Sequence, residues 1–142
     1  YGIHGVEALF TVMGTGCLSV TRSEDTLAKT VVIGEWTGNR TGTFTGHKKP
    51  QGYGGKVTGE KGEKELGSYR GYQPLLLDIV KFFRTGQPPV SEAETLEIYA
   101  FMEAADESKR HSGQKIEIAT VMKQAEANAK ATLEQLLPEQ QQ

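Results

Sequence analysis

The chain has a single cysteine, Cys17, so no internal disulfide can staple it, and its apolar neighbours Leu18 and Val20 mark it as a small buried thiol. Charge of one sign is also missing. Sixteen basic residues against eighteen acidic ones, with a pI near 6.0, leave no electrostatic footprint for nucleic acid or an anionic membrane surface. No apolar run approaches the roughly 18 residues of a membrane span, and no charged stretch followed by an apolar one opens the chain as in a signal peptide. Only three histidines are present, His4, His47 and His111, and they are too scattered to suggest a metal site. What remains is ordinary globular composition over 142 residues. A domain of this size buries roughly 68–70% of its unfolded surface, so one core suffices without a metal or a disulfide. The first residue is Tyr1 rather than Met, which suggests a piece of a longer or processed protein.

The apolar period fixes the expected elements. Ile3, Val6, Phe10 and Met13 fall at helical spacing, with Gly14 as the stop. Four short segments rich in Val, Ile and Thr follow, at Cys17 to Arg22, Thr30 to Trp36, Arg40 to Thr45 and Gly55 to Gly59, divided by turns such as Thr37-Gly38-Asn39. Their close spacing favours hairpins over parallel crossovers, which need a dozen or more connecting residues. From Gln73 the period changes to helical, with Leu75, Leu76, Ile79, Val80, Phe82 and Phe83 on one broad face, and the helix stops at Gly86. After the Pro88-Pro89 break, Ser91 and Glu94 form a capping box for a helix to about His111, whose Ile98, Phe101, Met102 and Ala105 should face the sheet. Gln114 to Ile118 suggests a last strand, and Ala119 to Leu137 an alanine-rich helix before a Gln-rich tail. The expected fold is α+β, a mostly antiparallel open sheet with helices packed on one face, and the second face of that sheet calls for a partner. Residues 1–118 form the domain, and 119–142 a helical extension and tail.

Two glycine-rich stretches resemble phosphate-binding loops and fail on context. Gly14-Thr15-Gly16 follows a helix and precedes a strand, which is the reverse of a dinucleotide fingerprint and sets the wrong end of a helix dipole towards phosphate. In Gly52-Tyr53-Gly54-Gly55-Lys56, Pro50 stands where the first glycine belongs and Val57 where the metal-binding hydroxyl belongs. Asn39-Arg40-Thr41 has the form of a glycosylation acceptor, with a plain hairpin turn as the default. His111, beside Lys109 and Arg110, reads as a solvated cation that complements a helix C-terminus. Lys48 and Lys49 form a small basic patch of the kind most often found on a solvated loop, and Trp36 and Tyr53 are aromatic rings for which sheet packing is the default and sugar stacking the sharper alternative.

Several runs carry a family resemblance. Tyr1-Gly2-Ile3-His4-Gly5-Val6-Glu7-Ala8-Leu9-Phe10, then Tyr72-Gln73-Pro74-Leu75-Leu76, Thr85-Gly86-Gln87-Pro88-Pro89-Val90, Glu94-Thr95-Leu96-Glu97-Ile98 and Ala105-Asp106-Glu107-Ser108-Lys109-Arg110 are similar, in order, to the C-terminal domain of the glucose-fructose oxidoreductase, inositol dehydrogenase and MocA family over about residues 1–122. The resemblance implies a substrate-side and oligomerisation domain whose parent carries a separate Rossmann half that binds NAD or NADP. It implies oxidation of a sugar, polyol or related hydroxylated carbon, no cofactor bound by this chain alone, and association through the sheet face. In that family a Lys from the other half works with an Asp and a His spaced four apart. His4 matches that His as the catalytic candidate, the Asp would fall before Tyr1, and Tyr1 is a weaker pocket candidate. An imidazole suits the proton-accepting task near neutral pH. Two alternatives stand beside this reading: a non-catalytic binding or oligomerisation module, and NAD-dependent lyase or glycosidase chemistry on the same fold.

Overall fold

A computed structural model describes residues 2–49, 52–67 and 71–136. Helix α1 (Gly2–Met13) buries Val6 and Phe10 and ends where Gly14 turns left-handed, at φ 69°, and donates its N–H to the Phe10 carbonyl. Two more of the carbonyls that a helix end leaves without partners are taken from a distance. The Arg40 guanidinium reaches Met13 O at 2.7 Å and the Trp36 indole N–H reaches Gly14 O at 2.9 Å. These contacts lock α1 to the strands that follow.

Strands β1 (Cys17–Asp25), β2 (Lys29–Trp36) and β3 (Arg40–His47) form an antiparallel meander, and the two-residue β6 (Ile116–Glu117) adds to the far side of β1, giving the order β3-β2-β1-β6. Along β2, Thr30, Val32, Gly34 and Trp36 are buried in strict alternation and face the helices. Trp36 packs there with Phe10 and Phe101, ring centroids 5.5 and 5.9 Å away, so its default role as a packing residue is its actual one. Two glycines make room for these rings. A Cβ on Gly34 would come within 2.7 Å of Phe101, and one on Gly42 within 2.9 Å of Leu9. On the other face Thr41, Thr43 and Thr45 are exposed and Val31 and Ile33 half-buried, so that face is open among the described residues.

Helix α3 (Glu92–Arg110) is the second helix on the core, burying Ile98, Phe101 and Ala105 with Met102 half-buried, and it starts at the expected cap, with Glu94 N–H donating to Ser91 Oγ at 3.1 Å. Cys17 lies in the same core, and burial, followed by the charge of Glu97, pushes its thiol up to about 12. Helix α4 (Ile118–Leu136) buries only Ile118 and Val121, and its residues from 123 onward are exposed.

Two parts of the sequence expectation are corrected. The expected fourth strand does not join the sheet. Instead β4 (Gly55–Gly59) pairs with β5 (Gly62–Leu66), a strand the periodicity did not show, in a separate two-stranded hairpin. Its strands are too short and too charged to bury a face: Lys56 pairs with Glu63, and only Val57, Leu66 and Gly55 are even half-buried. Helix α2 (Gln73–Thr85) forms as expected, but its broad apolar face is not packed on the sheet, and none of its residues is buried.

Candidate functional site

His4 lies on the first turn of α1, with its side chain half exposed. Its Nδ1 is 3.0 Å from Glu7 Oε2, three residues on and therefore on the same helical face. The Tyr53 ring stands edge-on to the imidazole, 6.5 Å away between centroids and at 79° to it. Tyr53 is 63% exposed and belongs to the loop before β4, so sheet packing, the default for this residue, is not its role. Tyr1 lies outside the described residues.

The position of α1 fixes the place of this group. Gly2 and Gly5 sit over Phe44 on β3, so close that a Cβ on Gly5 would meet the Phe44 ring. The first turn of α1 is thus pressed onto the edge strand, and His4, Glu7 and the Tyr53 loop meet beside it. An imidazole that can exchange a proton, a carboxylate on one of its nitrogens and an exposed aromatic ring are suited to holding a hydroxylated ring or chain and moving one proton. Sequence reasoning selected His4. It passed over Glu7, although a His and a Glu three apart in an expected helix were already visible, and it could not bring in Tyr53, which depends on how the loop folds back.

The remaining candidates resolve as structural groups. The Gly14-Thr15-Gly16 turn does hold an anion, but the anion is the chain's own. Glu97 on α3 accepts from Gly16 N–H at 2.8 and 3.1 Å and from Cys17 N–H at 2.6 Å. With those donors taken, the turn offers no cradle for a dinucleotide phosphate. Lys48 is 3.7 Å from Asp25, whose carboxyl is held well below the usual range first by Lys109 and then by the Thr30 hydroxyl. The basic patch is therefore partly neutralised. Shallow hollows of about 630 and 380 Å³ lie there, lined by Asp25, Thr26, Leu27 and Lys48 and by Leu27, Ala28, His47 and Lys49. His111 sits at the C-terminus of α3 with Nε2 3.8 Å from Glu107, half exposed as expected. No group of three or more potential ligands able to hold a metal ion occurs among the described residues, and no described helix is long and apolar enough to cross a membrane. Comparisons with family models, with curated proteins and with solved structures find no match to this chain.

Proposed function

We propose that this chain is the substrate-side part of an NAD- or NADP-dependent oxidoreductase of the glucose-fructose oxidoreductase, inositol dehydrogenase and MocA type, acting on a sugar, polyol or related hydroxylated carbon. The observation that carries the reading is the grouping of His4, Glu7 and the exposed Tyr53 ring at the edge of the sheet, in the segment where the family resemblance places its catalytic histidine. His4 accepts the hydroxyl proton of the substrate, and Tyr53 offers an apolar ring to its C–H face. The nicotinamide supplies the acceptor for the hydride and, as the resemblance implies, is held by a separate Rossmann domain, while the turn here that most resembles a dinucleotide loop is filled by Glu97. In this reading the chain alone has no turnover.

The surface supports a role with partners. Leu75, Leu76, Leu77, Ile79, Val80, Phe82 and Phe83 are all exposed on α2, with Phe83 at 79%. Contiguous exposed apolar patches of this kind are typical of interaction surfaces. In this reading α2 docks on the nucleotide-binding domain, and the open sheet face meets a second copy. The same two surfaces also favour the second reading, a non-catalytic assembly module, which predicts association without turnover.

The test uses the full-length protein that the reading requires, titrated with NAD and NADP by nicotinamide fluorescence and assayed with a panel of sugars and polyols. Cofactor reduction that falls at least about a hundredfold in His4→Ala, with cofactor affinity unchanged, supports the oxidoreductase. Failure of the full-length protein to bind either cofactor overturns it in favour of the assembly module, and binding without net reduction moves the assignment to lyase or glycosidase chemistry.

A further inference from the structure

We infer that Glu7 is a positioning residue that fixes the tautomer of His4 and so makes Nε2 the proton-accepting atom, an inference that rests on the reading of His4 as the base. An ionised carboxylate only accepts hydrogen bonds, and a neutral imidazole carries one N–H and one lone pair. With Nδ1 3.0 Å from Glu7 Oε2, the proton of the neutral ring belongs on Nδ1, which donates to Glu7, and the lone pair belongs on Nε2. Free histidine side chains prefer the opposite form, so the arrangement selects the less favoured tautomer. The backbone supports this selection. Both residues lie on one helix, anchored through Val6 and Phe10 and through the close seat of Gly5 on Phe44, so their separation is set by the helix rather than by a loop. Tyr53 stands edge-on to the same imidazole.

In the proton transfer, the substrate O–H bond breaks and its electron pair stays on oxygen while an Nε2–H bond forms. Nδ1 keeps its proton throughout, and the Glu7 carboxylate beside it stabilises the imidazolium that results. A surface ion pair without a part in the reaction would leave the turnover unaffected.

The experiment is long-range ¹⁵N–¹H correlation of the His4 ring nitrogens in the 142-residue chain at pH 8.5, for the unaltered protein and for Glu7→Ala. The expected result is the Nδ1–H form in the former and reversion to Nε2–H in the latter. An Nε2–H form in the unaltered protein, or an unchanged tautomer in Glu7→Ala, overturns the inference. Thermal midpoints guard against a folding artefact, and with both side chains at the surface they should coincide. In the full-length protein, Glu7→Ala should lower kcat by roughly 10–100-fold with little change in KM. Combined with His4→Ala it should add no further loss, because the two act as a unit. If the tautomer behaves as expected while His4→Ala leaves turnover intact, the oxidoreductase reading fails and the role of Glu7 in setting the tautomer stands. If His4→Ala abolishes turnover while Glu7→Ala changes neither tautomer nor kcat, the positioning role fails alone.

Discussion

Removing the Glu97 carboxylate should destabilise the fold more than removal of any surface ion pair. Glu97 reaches across 81 sequence positions to the turn between α1 and β1, where two backbone N–H groups, of Gly16 and Cys17, converge on it. Cys17 is buried and Gly16 half-buried, so water replaces the lost acceptor poorly. An unsatisfied buried donor costs about 1–3 kcal/mol. Glu97→Ala should therefore cost about 2–4 kcal/mol, which for a chain of this size lowers the thermal midpoint by roughly 10 °C. Glu97→Gln keeps one carbonyl oxygen near both donors and should cost about 1 kcal/mol. Urea unfolding followed by Trp36 fluorescence reads both, since that indole is in the core and hydrogen-bonds to Gly14 in the same turn. A second readout separates charge from packing. The Glu97 charge adds to the effect of burial in raising the Cys17 thiol pKa, so Glu97→Gln should lower it and speed native-state reaction with a disulfide reagent at pH 9. A Glu97→Ala variant within 0.5 kcal/mol of the unaltered protein would refute the reasoning.

Ser108 is fully buried, accepts from Arg22 N–H at 2.9 Å and donates to Gln114 O at 2.6 Å, so Ser108→Ala should cost about 1–3 kcal/mol and speed hydrogen exchange at Arg22. Gly34→Ala should cost about 1–3 kcal/mol by overpacking, because its Cβ would collide with Trp36 and Phe101, and thermal unfolding measures it. On the acid side, Lys109 holds Asp25 below its usual range, Lys115 holds Glu35 and Arg110 holds Glu107. Depressed carboxylates contribute stability above their unfolded pKa values near 4 and lose it as pH falls further, so the unfolding midpoint should drop below pH 4, less steeply in Asp25→Asn. On the alkaline side, Cys17 has its ordinary value of 9.0 when unfolded and about 12 when folded. Its contribution is complete below pH 9 and fades towards pH 12 at up to about 1.4 kcal/mol per pH unit, and Cys17→Ala should remove that slope.

The helices and the meander were legible because their signals are local. The Ser91 cap, which accepts from Glu94 N–H, the stops at Gly14 and Gly86 and the alternation along β2 each depend on residues within one turn or one strand pair. The strand at β4 was legible, but its partner β5 was not, because in Gly-Glu-Lys-Glu-Leu charged residues occupy both faces and no period-2 pattern survives. The two register shifts in β1, between Cys17 and Ser19 and between Arg22 and Glu24, were equally hidden.

The site was legible only in part, for a related reason. His4 and Glu7 are neighbours on one helix, so their pairing is written in the spacing, whereas Tyr53 arrives through a loop whose course no local pattern fixes. The residues that carry the family resemblance divide along the same line. Glu97 and Ser108 prove to be fold-holding groups, one satisfying the turn after α1 and the other tying β1 to the segment before β6. Their presence in those runs therefore carries no argument about a reaction. The proposed chemistry needs His4 and the two groups beside it. The apolar face of α2 is the other part of the molecule that folding leaves unexplained, since helical propensity alone would be served by polar residues, and burying that face requires a surface that the described residues of this chain do not provide.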